Sequence, residues 1–219
     1  MRDDIPRMGI ITSTFLLFSL TAVSQDFKFD HITTDNGLSQ GTVNCVYQDS
    51  KGFIWIGTDD GLNLYDAYSF KVYKNNSDDS LSISGNVITD IEEDKAGNLW
   101  IGTRSNGLNF FNRNTDKFTR FVSNPSNPAA LSANNVKQLY LDKQGNVIVG
   151  TLGGGLDVIN SKTFAIKTYR HNNSDNSSIS DDFVYSFQEA QDGKVWVGTE
   201  CGTLDLFDIE KGTFQKSFK

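Results

Sequence analysis

The chain is poor in the residues that carry most enzyme chemistry. Its 219 residues include two histidines, His31 and His171, and two cysteines, Cys45 and Cys201. Two cysteines make neither a disulfide framework nor a four-cysteine zinc site, and two distant histidines leave little for proton relay or metal ligation. Proline is scarce at 3, and positive charge is outweighed: 20 Lys and Arg stand against 27 Asp and Glu, a formal net charge of −7. With no basic block, the electrostatic footprint of a nucleic-acid-binding protein is missing, and an anionic membrane surface is a poor partner. After the N-terminal segment no apolar run reaches 18 residues, so no membrane span is expected in the mature chain. Glycine, at 19, and phenylalanine, at 16, are plentiful. Such a composition favours strands and turns over helices.

Residues 1–24 read as a secretory signal peptide. Arg2 and Arg7 precede an apolar run from Gly9 to Leu20, and Ala22-Val23-Ser24 supplies small residues at the cleavage positions. The run is too short to cross a bilayer as a helix. No Cys follows it to carry a lipid anchor. The expectation is an exported, periplasmic chain beginning near Gln25.

The remainder repeats itself four times. Gly52, Gly97, Gly145 and Gly193 recur at intervals of 45, 48 and 48 residues. Each is followed at fixed offsets by Trp55, Trp100, Ile148 or Trp196, then by Gly57-Thr58, Gly102-Thr103, Gly150-Thr151 or Gly198-Thr199. Asp49, Asp94 and Asp142 stand before the first glycine, with Ala190 breaking the pattern, and Ser39, Ser84, Ser132 and Ser180 stand further upstream in one register. Each repeat reads as four short strands: in the first, Val43–Gln48, Phe53–Thr58, Leu62–Tyr65 and Phe70–Tyr73, joined by Asp- and Gly-bearing turns. Four antiparallel strands per repeat of this length is the spacing of a β-propeller blade; a β-solenoid would use shorter, parallel repeats. A blade cannot cover both of its faces alone, so the recurring Trp and Phe are expected between stacked blades. The expected blades span about 43–74, 88–122, 136–170 and 184–219, with a leading strand at 27–32.

The segments Asp49-Ser50-Lys51-Gly52-Phe53-Ile54-Trp55-Ile56-Gly57-Thr58 and Asp94-Lys95-Ala96-Gly97-Asn98-Leu99-Trp100-Ile101-Gly102-Thr103 closely resemble the two-component regulator propeller repeat. So do Asp60-Gly61-Leu62-Asn63 and Asn106-Gly107-Leu108-Asn109-Phe110-Phe111. The resemblance covers residues 27–219. It implies an all-β propeller, four blades of a seven-bladed ring, in the periplasmic sensor region of a hybrid two-component histidine kinase that responds to carbohydrate breakdown products. It also implies an immunoglobulin-like domain, a membrane helix and a kinase that this sequence does not hold, so the chain is expected to be a truncated sensory portion without catalytic residues.

Several local patterns suggest chemistry and fail on context. Gly37-Leu38-Ser39-Gln40-Gly41 spells a nucleophile elbow, but no helix follows, and Ser39 shares its register with three other loop serines. Gly150 with Gly153-Gly154-Gly155 leads into a strand rather than the helix a phosphate loop needs. Asp49, Asp94 and Asp142 sit at equivalent turns of separate blades, too far apart to share an ion, and are expected to cap those turns. No cofactor is implied.

The loops between second and third strands hold different side chains in a locked register: Asp59 and Asp60, then Arg104, Ser105 and Asn106, then Leu152 and glycines, then Glu200 and Cys201. Residues that vary where the blade does not require them are free to serve recognition. Asp59, Asp60, Arg104, Ser105, Asn106 and Glu200 are therefore the candidate ligand-binding set, suited by hydrogen-bonding capacity to a small molecule or oligosaccharide. Two other classes remain open: a propeller enzyme, lyase or glycoside-acting hydrolase, and an interaction scaffold or inert gene fragment. Open propeller ends would also invite self-association.

Overall fold

The computed structural model describes residues 29–218, so the expected signal peptide lies outside the described residues. Of the expected leading strand only residues 29–32 are described, and they hold no strand; the first element is a 3-10 turn at Thr34–Asn36, capped by Thr33. Residues 32–219 form one compact unit of four antiparallel four-stranded sheets. Blade one comprises β1 (Val43–Gln48), β2 (Ile54–Thr58), β3 (Gly61–Tyr65) and β4 (Phe70–Tyr73). Blade two comprises β5 (Ile88–Glu93), β6 (Leu99–Thr103), β7 (Leu108–Asn112) and β8 (Lys117–Phe121). Blade three comprises β9 (Val136–Leu141), β10 (Asn146–Thr151), β11 (Leu156–Asn160) and β12 (Ile166–Tyr169), and blade four β13 (Val184–Glu189), β14 (Val195–Thr199), β15 (Leu204–Asp208) and β16 (Thr213–Phe218). In every blade the strands pair in chain order. The first strands β1, β5, β9 and β13 lie side by side in sequence, so they are the inner strands and the blades form a propeller arc.

The repeated residues explain the blades. Asp49 Oδ1 accepts the amides of Lys51 and Phe53 at 2.9 and 3.0 Å, and Asp94 does the same for Ala96 and Asn98 at 2.9 and 3.0 Å. These bonds close the first hairpin, whose glycine takes a left-handed conformation (φ 89° at Gly52, 82° at Gly97) that a side chain would strain. The serines are structural: the Ser39, Ser84, Ser132 and Ser180 amides donate to Asn63, Asn109, Asp157 and Asp205, four fully buried third-strand side chains, at 2.9, 2.8, 2.8 and 2.7 Å. Each third-strand polar group thereby tethers the loop that enters its blade, and burial pushes the Asp157 carboxyl above its ordinary value.

The core is three slabs between neighbouring blades. Trp55, Leu62, Ile83, Ile88 and Phe111 fill the first, Trp100, Leu108, Val136 and Ile159 the second, and Ile148, Leu156, Val184 and Phe207 the third. The second glycine of each repeat makes room for the next blade. A Cβ at Gly57 would fall 2.6 Å from Ile88, one at Gly102 2.7 Å from Val136, and one at Gly150 2.9 Å from Val184. Each β-branched residue is thus a knob seated in the preceding blade's glycine hole.

Polar stitching adds to the first slab. Arg113 on blade two pairs with Asp49 at 2.8 Å and Glu93 at 3.4 Å, while the Trp55 indole donates to Asp49 at 2.7 Å. Burial pushes the Asp49 carboxyl up, but hydrogen bonds from Trp55, Arg113 and the Phe53 amide outweigh it and hold the group below its ordinary value.

Candidate functional site

The inner strands share an irregularity that the repeat alone does not announce. In each first hairpin the ladder skips one residue near the start of the inner strand: Asn44, Thr89, Lys137 and Tyr185 are bulged out of pairing. A bulge breaks the strict in-and-out alternation and re-aims its side chain. Here the four bulges occupy one register at the end of the arc where the second-to-third-strand loops emerge. Asn44, Thr89 and Lys137 line one cavity of about 250 Å³ with Arg104, Asn135 and Val136.

The polar groups there are partly organised and partly open. Asn44 Nδ2 donates to Asp59 Oδ1 and to the Ile88 carbonyl, both at 2.9 Å, and so fixes its amide across the seam between blades one and two. Arg104 reaches the same Asp59 oxygen at 3.4 Å with its side chain half exposed. The Thr89 hydroxyl oxygen is buried and has no hydrogen-bond partner. Lys137 holds its ammonium 6.0 Å above the Tyr185 ring, and the Tyr185 hydroxyl lies 3.5 Å from Glu200 Oε1. Two cations, two amides, a hydroxyl and an exposed aromatic ring thus gather at the mouth of the axis. That set can bind a polyhydroxylated or anionic group through hydrogen bonds and offer a ring face to a sugar.

Beneath the mouth, the residues one position further along join the blades. Asp90 Oδ2 accepts the Leu139 amide at 2.8 Å and Gln138 Oε1 accepts the Phe187 amide at 3.2 Å. Burial raises the Asp90 carboxyl, and it lifts Glu92, assisted by the Asp90 charge, to about 7. Cys45 holds the same register as Asp90 and Gln138; burial first, and the Asp90 charge second, push its thiol up to about 12.

The structure separates the six expected ligand residues. Asp59 and Arg104 meet at the cavity, and Glu200 sits by Tyr185. Asp60 turns instead to Lys74 at 2.6 Å and Asn86 at 3.2 Å, on the seam between blades one and two. Asn106 packs against Gly85, where a Cβ would lie 2.5 Å from its Oδ1, and its amide closes the turn on Thr103 Oγ1. Ser105 is exposed at the tip of the same turn. The bulged residues were missed. Their signal was in the repeats all the same: Asn, Thr, Lys and Tyr directly follow the β-branched Val43, Ile88, Val136 and Val184.

A larger cleft of about 450 Å³ opens at the opposite end, lined by turn residues of blades three and four. Three of its charged residues already have partners, Lys194 with Asp192 at 2.7 Å and Asp208 with Lys211 at 3.1 Å. Volume alone points to this end; convergence of side chains from several blades points to the axial mouth.

Comparison with known proteins agrees with this architecture. The sequence signature of the two component regulator propeller matches residues 37–60, 82–105 and 178–201, the entry loop and first hairpin of blades one, two and four. Over 76 residues, 35% of this chain, the sequence is 46% identical to Histidine kinase P4 of Formosa agariphila, and the matched stretch is 6% of that protein. The extracellular domain of a protein described as a hybrid two component system of B. thetaiotaomicron superposes with a TM-score of 0.76 at 27% identity, covering 86% of this chain and 26% of the other. Virginiamycin B lyase of Staphylococcus aureus shares the fold alone, with a TM-score of 0.59 at 13% identity over 80% of this chain and 55% of the lyase. The chain therefore spans about a quarter of the solved extracellular domain it matches. On its repeats, its blades and these likenesses, the chain carries the two component regulator propeller repeat in three of its four blades and is similar in fold to the extracellular domain of a hybrid two component system.

Proposed function

We propose that this chain is a sensory portion of an exported two-component system receptor and that it recognises a small saccharide at the axial mouth without chemically changing it. The observation that carries the reading is the bulged register: Asn44, Thr89 and Lys137, from three blades, line one cavity with Arg104. Bulges placed alike and filled with unlike side chains are what a recognition surface needs and what blade packing does not. The extracellular placement of the B. thetaiotaomicron domain supports export, and the histidine kinase likeness supports signalling as the destination of the binding event. Arg104, Asp59, Ser105 and Glu200 serve the ligand or its approach; Asp60 and Asn106 hold the turns that present them.

The test is a thermal-shift screen of neutral and acidic oligosaccharides against the intact chain, with chromatography of the sugars afterwards. A stabilising sugar recovered unaltered is expected. Its effect is lost in Arg104→Ala and Lys137→Ala and kept in Lys51→Ala and Lys143→Ala at the opposite turns. Cleavage of the sugar would move the chain to the enzyme class, and loss confined to the Lys51 and Lys143 variants would move the site to the other end.

A further inference from the structure

The loops that enter blades two, three and four are built on one turn: the Ser82, Ala130 and Ser178 amides donate to the carbonyls of Asp79, Asn127 and Asp175 at 3.1, 3.0 and 3.1 Å. In blades two and four the serine hydroxyl folds back on the loop, Ser82 Oγ onto the Asp79 carbonyl at 2.9 Å and Ser178 Oγ onto that of Asp175 at 2.7 Å. The outer strand holds the loop as well, through the Phe118 amide on the Leu81 carbonyl at 3.0 Å and the Phe214 amide on that of Ser177 at 2.8 Å. Blade two adds Arg120 of β8. Its Nη2 donates to the Asp79 carbonyl and to Ser82 Oγ, both at 2.8 Å, and its Nε donates to the Ser82 carbonyl at 2.9 Å. The loop of blade two is thus wrapped around a guanidinium of its own chain.

Blade three keeps the turn and loses all three ties. Ala130 replaces the serine, and Thr168 of β12, paired with Asp157 as Arg120 is with Asn109, replaces the arginine. Among the described residues no bond joins Ile166 to Ala129 as Phe118 joins Leu81, and no side chain donates to the Asn127 or Ala130 carbonyl. Two cavities of about 410 and 350 Å³ open there instead, sharing Asn124, Asn127, Ala130 and Leu131. Thr168 forms part of the wall of the first, and its hydroxyl donates to Asp157 Oδ1 at 2.5 Å. A fully buried carboxyl group therefore stands directly behind that wall, where blade two has the neutral amide of Asn109. Blade three has a neighbour on either side, so these cavities lie away from both ends of the arc.

From this we infer that the blade-three cavity binds a guanidinium group on an aliphatic stem, the chemistry of an arginine side chain or of a small alkylguanidine. Blade two is the template. The carbonyls of Asn127 and Ala130 stand for those of Asp79 and Ser82, and the ligand stands for Arg120. A guanidinium presents a planar fork to two carbonyls at once, which an ammonium does not. Arg170 at the rim is already engaged, with the Ser132 carbonyl at 3.2 Å and with Asp182 at 3.9 Å. With the Asp157 carboxylate balancing Arg170, a bound guanidinium leaves the site with the single positive charge that Arg120 gives blade two. In the second cavity Phe164 and Ile166 offer an apolar wall to the stem.

The test is an amide-resolved NMR titration of the isotope-labelled intact chain with methylguanidinium, arginine and acetyl-arginine amide, with methylammonium at equal ionic strength as the control. Methylguanidinium is expected to give saturable shifts at residues 124–132 and 166–170, with a midpoint of about 1–10 mM for so small a ligand. Methylammonium, one charge-assisted hydrogen bond poorer, is expected to bind at least about ten-fold more weakly. Thr168→Arg fills the cavity from within and is expected to abolish the shifts; Ala130→Phe, which fills it without charge, replaces that variant should circular dichroism show misfolding. Arginine and its blocked amide are both expected to bind. Equal affinity assigns the site to arginine side chains of a peptide, and tighter binding of free arginine assigns it to a small guanidino compound. No saturable shift, equal binding of methylammonium, shifts outside the two segments, or undiminished binding by the filled variant each overturns the proposal.

Discussion

The interblade glycines give a direct measure of how the arc is held. Gly102→Ala puts a methyl group 2.7 Å from Val136 Cγ1 and 2.9 Å from Thr89 Oγ1, in a slab lined by fully buried side chains. Neither neighbour is the far end of a flexible chain, so the two blades must part or Val136 must leave its rotamer. Overpacking of this kind costs roughly 1–3 kcal/mol, offset by about 0.4–1 kcal/mol because alanine loses less backbone entropy on folding. The net expectation is a loss of about 1–2 kcal/mol, or ~2–8 °C in melting temperature for a domain of this size. Gly198→Ala is the internal control. Its methyl group falls 2.4 Å from the Ser186 hydroxyl, which can rotate away, and among the described residues its nearest neighbours all belong to its own blade. It is expected to change stability by less than about 0.5 kcal/mol. Both variants are melted by circular dichroism beside the wild type at one protein concentration. Equal losses in the two variants would refute the reasoning, because they would show that the glycine serves its own strand and not its neighbour.

Other perturbations read other parts of the structure. Arg113→Met strands the buried carboxylates of Asp49 and Glu93, and urea unfolding is expected to show a loss of about 3–5 kcal/mol. Because the Asp49 carboxyl is held low, its contribution is present above the ordinary carboxylate value and fades as pH falls through the folded value, so the Arg113 deficit shrinks in acid. Glu92 behaves oppositely: raised from 4.5 to about 7 by burial and the Asp90 charge, it keeps its proton in the folded chain after the unfolded chain has released it. Stability is therefore expected to fall as pH rises between those values, and Glu92→Gln to flatten that slope. Labelling with a thiol reagent at pH 8 is expected to modify exposed Cys201 quickly and to reach Cys45 only on unfolding, since its thiol is pushed up to about 12.

The blades were legible because their determinants are local and repeated. An Asp that caps its own hairpin, a glycine that turns left-handed and an apolar second strand leave the same trace four times, and the observed strands lie within a residue or two of those read from the sequence. The trace is weaker in blade four, where Ala190 replaces the Asp and the Lys194 amide reaches Asp192 at 3.3 Å instead. The site was legible only in part. Asp59 and Arg104 could be placed at the mouth because they sit in loops whose position the repeat dictates. Asp60 and Asn106 share those loops, but one faces a neighbouring lysine and the other packs on Gly85, choices made by blade-to-blade contact that a single repeat does not reveal. Asn44, Thr89, Lys137 and Tyr185 escaped for a different reason. Period-two alternation assigns every strand residue a face, and a bulge suspends that rule for one residue.

The central claim is that the axial mouth, and not the turns at the other end, receives the ligand. Amide chemical-shift mapping of the isotope-labelled chain with a stabilising oligosaccharide tests it most directly. The largest shifts are expected at residues 43–45, 88–90, 136–138 and 184–186 and at Arg104. Shifts concentrated instead at Gln144, Asp192, Lys194 and Asp208, with the inner-strand bulges unmoved, would contradict it.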